Sequence, residues 1–386
     1  MPHHSPRSFC LLLAVLSCLL LAGAGSPTHA QSDTGGRTRA LNLTIGEVGL
    51  SIGDSKRTTG LRLNYRDRAL ERANGINVTL WRPYDSAGGT VNGLAVGVPL
   101  TGGNRLRGIA LGAGLSAQRT VDGIAMAPFG VGSGGRIRGV AVGGLGLGAG
   151  TRAQGVLIGG LGAGAGERVA GLLIGGMGAG AGKSSTGLLV GGLGAGAGET
   201  ATGILIGGLG AGAGGRANGL IVGGAGAGAG DRATGLLVGG LGAGTGGRAT
   251  GVFIGGLGAG AGTTLNGVGL AALGVGAGNR FNGIGIAGVG VAAGDAFSGL
   301  AVAGLGVASR RVTGLSLTGG YTRIEEGALQ GVSIAAYNDI RAPQHGLTIG
   351  VYNYTRKLNG LQIGLLNVAQ NNPAWARVLP GLNLHF

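Results

Sequence analysis

Apolar and polar positions alternate along this chain in a pattern that repeats at a fixed distance. From Gly139 to Gly299 a glycine recurs every 16 residues without a slip, through Gly155, Gly171, Gly187, Gly203, Gly219, Gly235, Gly251, Gly267 and Gly283. Spacings of 14 to 18 residues carry the series outward to Gly60 and Gly360, giving about twenty related units in one array. The first and third positions after each marker glycine are Val, Leu or Ile, as in Val140, Val142, Val156 and Ile158. The sixth is mostly Leu (Leu145, Leu161, Leu193), and the eighth and tenth are mostly Ala (Ala163, Ala165). Alternation with period two predicts strands.

Large residues occupy odd positions before a Gly-Gly pair such as Gly159-Gly160 and even positions after it. A straight strand would throw half of them onto the wrong face. A corner at Gly-Gly lets both sets point inward, and a second corner falls near Asp231-Arg232. The unit therefore reads as one coil with two short strands and two corners. The fold class is all-β, a β-solenoid of 14–18-residue coils with ladders about 4.8 Å apart. Residues 136–313 form the regular array, and 31–135 and 314–386 read as irregular repeats and caps.

Composition narrows this picture. The 386 residues include 96 Gly and 9 Pro, a proportion that suggests disorder, but 44% are hydrophobic and mean hydropathy is +0.38. Collagen is excluded, because Gly does not occupy every third position. Residues 1–30 read as a secretory signal: Arg7, an apolar run from Phe9 to Ala22, and a small-residue cleavage site at Thr28-His29-Ala30. Both cysteines, Cys10 and Cys18, fall within it, and Val15-Leu16-Ser17-Cys18 loosely matches a lipid-attachment site. The formal net charge is +15. Given export, that charge points to anionic lipid or polysaccharide; basic residues are not interleaved with aromatics, which argues against nucleic acid.

Two surface features are candidates for function. The second position after each marker is expected to point outward, where Leu157, Leu173, Leu189, Leu205, Ile221, Leu237 and Phe253 would form an apolar stripe roughly 30 Å long. Such a stripe would meet a membrane, another copy or a partner. The corner before the marker carries Arg152, Arg168, Arg216, Arg232, Arg248 and Arg280, a rank that could face phosphates or sugar acids. Beside it, Thr186, Thr202, Asn218, Thr234, Thr250, Asn266 and Asn282 suggest side-chain ladders at a turn. The outward columns of the other strand are nearly all Gly.

Catalytic parts are missing from the sequence. The repeats hold no carboxylate cluster, no Ser with a matching His and Asp, and no phosphate loop, and the mature histidines His345 and His385 lack partners at metal-ligand spacing. No enzyme activity, cofactor, metal or small-molecule substrate is expected. Leu382, Leu384 and Phe386 resemble the terminal signal of outer-membrane barrels and support an alternative, an antiparallel porin-like barrel with one strand per repeat. Finally, Gly360-Leu-Gln-Ile-Gly-Leu-Leu-Asn367, the repeated Gly-Gly-Leu-Gly-Ala-Gly-Ala-Gly and the segment Asn74 to Trp81 resemble bacterial surface-repeat proteins of uncharacterised activity. That resemblance implies a cell-surface or outer-membrane location in a Gram-negative-type envelope and brings no site residues.

Overall fold

The computed structural model describes residues 40–81 and 88–386; the signal segment with Cys10, Cys18 and its cleavage site lies outside the described residues. Strands make up 77% of the fold, a β-solenoid of about 18 turns. The chain divides into two compact units, Met1–Ala179 and Gly180–Phe386.

Within the first unit, one coil shows how the 16 residues are used. Arg152–Gly159 is an eight-residue strand and Gly162–Ala165 a four-residue strand. Two-residue bends at Gly160-Leu161 and Gly166-Glu167 complete the repeat. Each residue pairs in parallel with its equivalent in the next coil, so Arg152 lies beside both Arg136 and Arg168. The second unit follows the same rule, with Arg232 between Arg216 and Arg248. Parallel pairing of successive repeats excludes the barrel alternative, which requires antiparallel neighbours. The N-terminal end of the first unit is closed by an antiparallel strand, Ala40–Ile45 on Val48–Gly53. At the C-terminal end of the second unit Val378–His385 does the same, with Leu382 beside Ile363 and Leu384 beside Leu361.

The interior is not the one the parity argument predicts. Around Gly155 the buried residues are Ala153, Leu157, Gly159, Ala163 and Ala165, all an even number of positions from the marker. No change of parity occurs. Each long strand opens on a residue such as Arg152, whose guanidinium stays in water. Period two then turns Gln154, Val156 and Ile158 outward with it, and the marker glycine does not interrupt the strand. In the regular array those glycines have φ between +112° and +136°, from Gly155 to Gly283, a region that L-residues rarely adopt. A Cβ on Gly155 would also overlap the carbonyl oxygen of Gly139. The marker column is thus backbone stacked on backbone.

What remains inside is thin: from Gly187 to Gly251 each coil buries one large side chain on its long strand. Leu205, Ile221, Leu237 and Phe253 fill it from the second position after the marker, and Ala201, Ala217, Ala233 and Ala249 lie beside them on the same strand face, two positions before it. In the next coils the roles exchange: Leu265, Phe281 and Phe297 are the large residues, with Gly269, Gly285 and Ala301 beside them on the same strand face. Phe281 and Phe297 meet edge to face, with centroids 5.0 Å apart. A Cβ on Gly285 would lie 2.9 Å from both Phe281 and Val291, so the ring takes the glycine's space. Burying one such Leu contributes about 1.5–3 kcal/mol, and stacking repeats that contribution coil by coil.

Both ends exchange this apolar filling for polar side chains. In the first unit Arg62 is wholly buried and bonded to Asp67, to Asn77 Oδ1 at 2.8 Å and to Asp54 at 3.2 Å. Thr79 and Asn64 donate to the same Asp67 at 3.0 and 2.7 Å, as a buried ion pair requires. In the second unit an amide ladder runs from Asn338 to Asn353 at 2.8 Å and from Asn353 to Asn367 at 2.7 Å. Asn372 donates to Asn383 at 2.8 Å.

Candidate functional site

The seven residues expected to form an outer stripe are the core. Leu157, Leu173, Leu189, Leu205, Ile221, Leu237 and Phe253 are each at most 1% exposed. The surface apolar residues are those expected inside. Val156, Ile204, Leu236 and Ile284, one position after the marker, are 37–39% exposed. Ile206, Ile254 and Ile286 are partly exposed three positions after it, and at the bend Leu161, Leu209 and Leu241 stand out at 49–61%. Three parallel apolar ranks thus replace the single predicted one.

The arginines lie where the sequence places them, exposed, though each opens the long strand just past the corner. Period two puts Arg, Thr or Asn, and two apolar ranks on one outward sheet face. Along the strands that open on arginine that face grades from basic through polar to apolar over six residues, roughly 20 Å, while others open on Ser184, Thr200 or Thr264. The Thr and Asn column belongs to the middle of this face rather than to a turn. One rung of it is hydrogen-bonded in the second unit, Asn282 to Asn266 at 2.8 Å.

Pairing of the arginines differs between coils. Arg57 donates to Glu71 at 2.7 Å and lies 3.8 Å from Glu47, which also holds Arg72 at 3.8 Å. The Glu71 hydrogen bond, followed by the Glu71 and Glu47 charges, holds Arg57 still further toward its charged form. In the second unit Arg216, Arg232 and Arg248 stand in register, and among the described residues none of the three makes an ion pair. In the first unit Arg105, Arg107, Arg119, Arg136 and Arg152 line an open groove of about 550 Å³ together with Glu167.

The short-strand face is bare glycine, as expected. Sterics do not demand this everywhere, since a Cβ on Gly148 would meet nothing within 4 Å. His385 Nδ1 is 2.6 Å from Asn372 Oδ1. Among the described residues no group of three or more His, Cys, Asp or Glu converges on a point. Tyr352 stacks on Tyr337 with centroids 4.7 Å apart, and burial, followed by neighbouring Tyr337, pushes its phenol up.

The buried Arg62 and the asparagine ladder are features the column reading missed. Asp54 and Asp67, flanking Arg62 within a few residues, were the available signal for the first. For the second, Asn353 and Asn367 lie seven positions after Gly346 and Gly360, where the regular coils carry Gly. Compared with known proteins, the chain matches no family model, no curated protein and no solved structure.

Proposed function

We propose that this chain is an exported cell-envelope protein whose β-solenoid serves as a structural or adhesive scaffold. The observation that carries this reading is the outward long-strand face, where one chemical character is repeated in every coil at one position. Repetition multiplies a weak contact along a surface, as adhesion and assembly require; catalysis concentrates different groups at one place. Export rests on the sequence of residues 1–30, and a surface location rests on the resemblance to surface-repeat proteins.

The test is to express the full chain and a version lacking residues 2–30 in a Gram-negative host and to treat intact cells with protease. The full chain should be exported, shortened near Gln31 and cleaved from outside, while the truncated chain stays protected in the cytoplasm. Equal protection of both would contradict the proposal.

A further inference from the structure

We infer that the outward face of the long strands binds an anionic lipid surface, its apolar ranks entering the headgroup boundary and its arginine rank meeting the phosphates. This rests on the reading of the chain as an exported interaction scaffold and names the partner.

The apolar half comes first. In the second unit Leu236 and Ile254 project from the sheet and Leu241 from the adjoining bend, each partly or well exposed. These ranks recur in the neighbouring coils in register. A water-soluble polyanion such as a polysaccharide would leave them wet. A lipid surface takes them up, in the way an amphipathic helix buries one face at the acyl boundary.

The basic half supplies charge complementarity. Arg216, Arg232 and Arg248 repeat like charge at about 4.8 Å, which is unfavourable for stacked neighbours. Arg57 and Arg72, at the same position in the first coils, have Glu47 and Glu71 beside them. The central arginines lack such partners among the described residues, although Asp231 stands at the adjacent corner. An anionic surface relieves this repulsion, and a guanidinium can grip a phosphate with two hydrogen bonds. Long arginine stems also let the charge reach headgroups while the neighbouring ranks go deeper.

A second copy fits the same face poorly. Face to face with strands parallel, arginine would meet arginine. With strands antiparallel, it would meet the Val and Ile rank three positions past the marker.

The experiment is flotation of the purified chain with vesicles of phosphatidylcholine, alone or mixed with phosphatidylglycerol. The chain should float with the anionic vesicles only, and added salt should weaken recovery. Replacing Arg216, Arg232 and Arg248 by Ser should lower partitioning about a hundredfold, since each arginine near an anionic surface is worth about fivefold. Leu236→Thr, Leu241→Thr and Ile254→Thr together should lower it about tenfold or more. Threonine suits an exposed strand, and an unchanged circular dichroism spectrum would show that the variants fold. Salt-independent binding to neutral vesicles, or none to either kind, overturns the inference. If vesicles fail while copies associate in light scattering and the threonine variant abolishes that association, the lipid partner is wrong and the scaffold reading stands. If neither vesicles nor copies bind, both fall.

Discussion

Coils Gly187–Gly251 and coils Gly267–Gly299 solve the same packing problem in opposite ways. In the former the large residue comes two positions after the marker, with Ala or Ser two before it. In the latter, Leu265, Phe281 and Phe297 come before, and Gly or Ala follows. The backbone register is unchanged across the exchange, because Phe253 pairs with Gly269 and Ala249 with Leu265. What these coils share is therefore one large side chain on the inward face of the long strand, and not the position that supplies it. The interior constrains volume, as close-packed cores do.

The strongest way to break this comparison is Phe281→Ala, which removes the coil's largest buried side chain and should cost about 3–5 kcal/mol in chemical denaturation. Gly285→Leu alone should also destabilise, by about 1–3 kcal/mol or more, because Phe281 and Val291 occupy its space. Combined, the two should recover part of the loss, since alanine before the marker and leucine after it match Ala233 and Leu237, while Val291 keeps the place that Ala243 holds in that coil. A double-mutant cycle reads this coupling directly. Additive losses would mean that position matters as well as volume.

A second pair separates inside from outside. Leu237→Ala should cost about 2–5 kcal/mol, whereas its outward neighbour Leu236→Ala should cost under about 1 kcal/mol. Equal costs would contradict the assignment of faces.

These faces show what could and could not be read from the chain. The period, the coil length, both corners and parallel stacking were legible, because Gly pairs and a fixed 16-residue spacing dictate them locally. The direction of each column was not. Val and Ile at the first and third positions look like core by hydropathy, yet strand period ties them to the arginine that opens the same strand. Counting from that arginine would have given the correct face; counting from the glycine allowed a false change of parity at a real corner. The Leu-rich stripe was thus identified as a set but placed on the wrong side, while the arginine rank was found correctly because charge alone fixes its exposure.

The polar-cored C-terminal coils extend the comparison. Asn353→Ala would leave Asn367 Oδ1 without its donor, which should cost about 1–3 kcal/mol, while the Asn338 amide keeps its bonds to the Ala335 and Ile349 carbonyls. Loss of protection should concentrate in exchange of the amides near Asn338 and Asn367, leaving the apolar coils protected. The smallest effect concerns Tyr352. Because its folded phenol is raised, its contribution to stability is present below the ordinary tyrosine range and is lost as pH rises through the folded value. A slight fall in stability there, absent in Tyr352→Phe, would be seen in alkaline denaturation.

The orientation of the long strand underlies both the core and the proposed lipid contact, and thiol labelling tests it most directly. With Cys10→Ser and Cys18→Ser as background, Leu236→Cys and Leu237→Cys place a thiol on either side of one strand. The cysteine at 236 should react readily in the folded chain and become shielded by phosphatidylglycerol vesicles, while that at 237 should react only on unfolding. Fast labelling at 237 with protection at 236 would contradict the account.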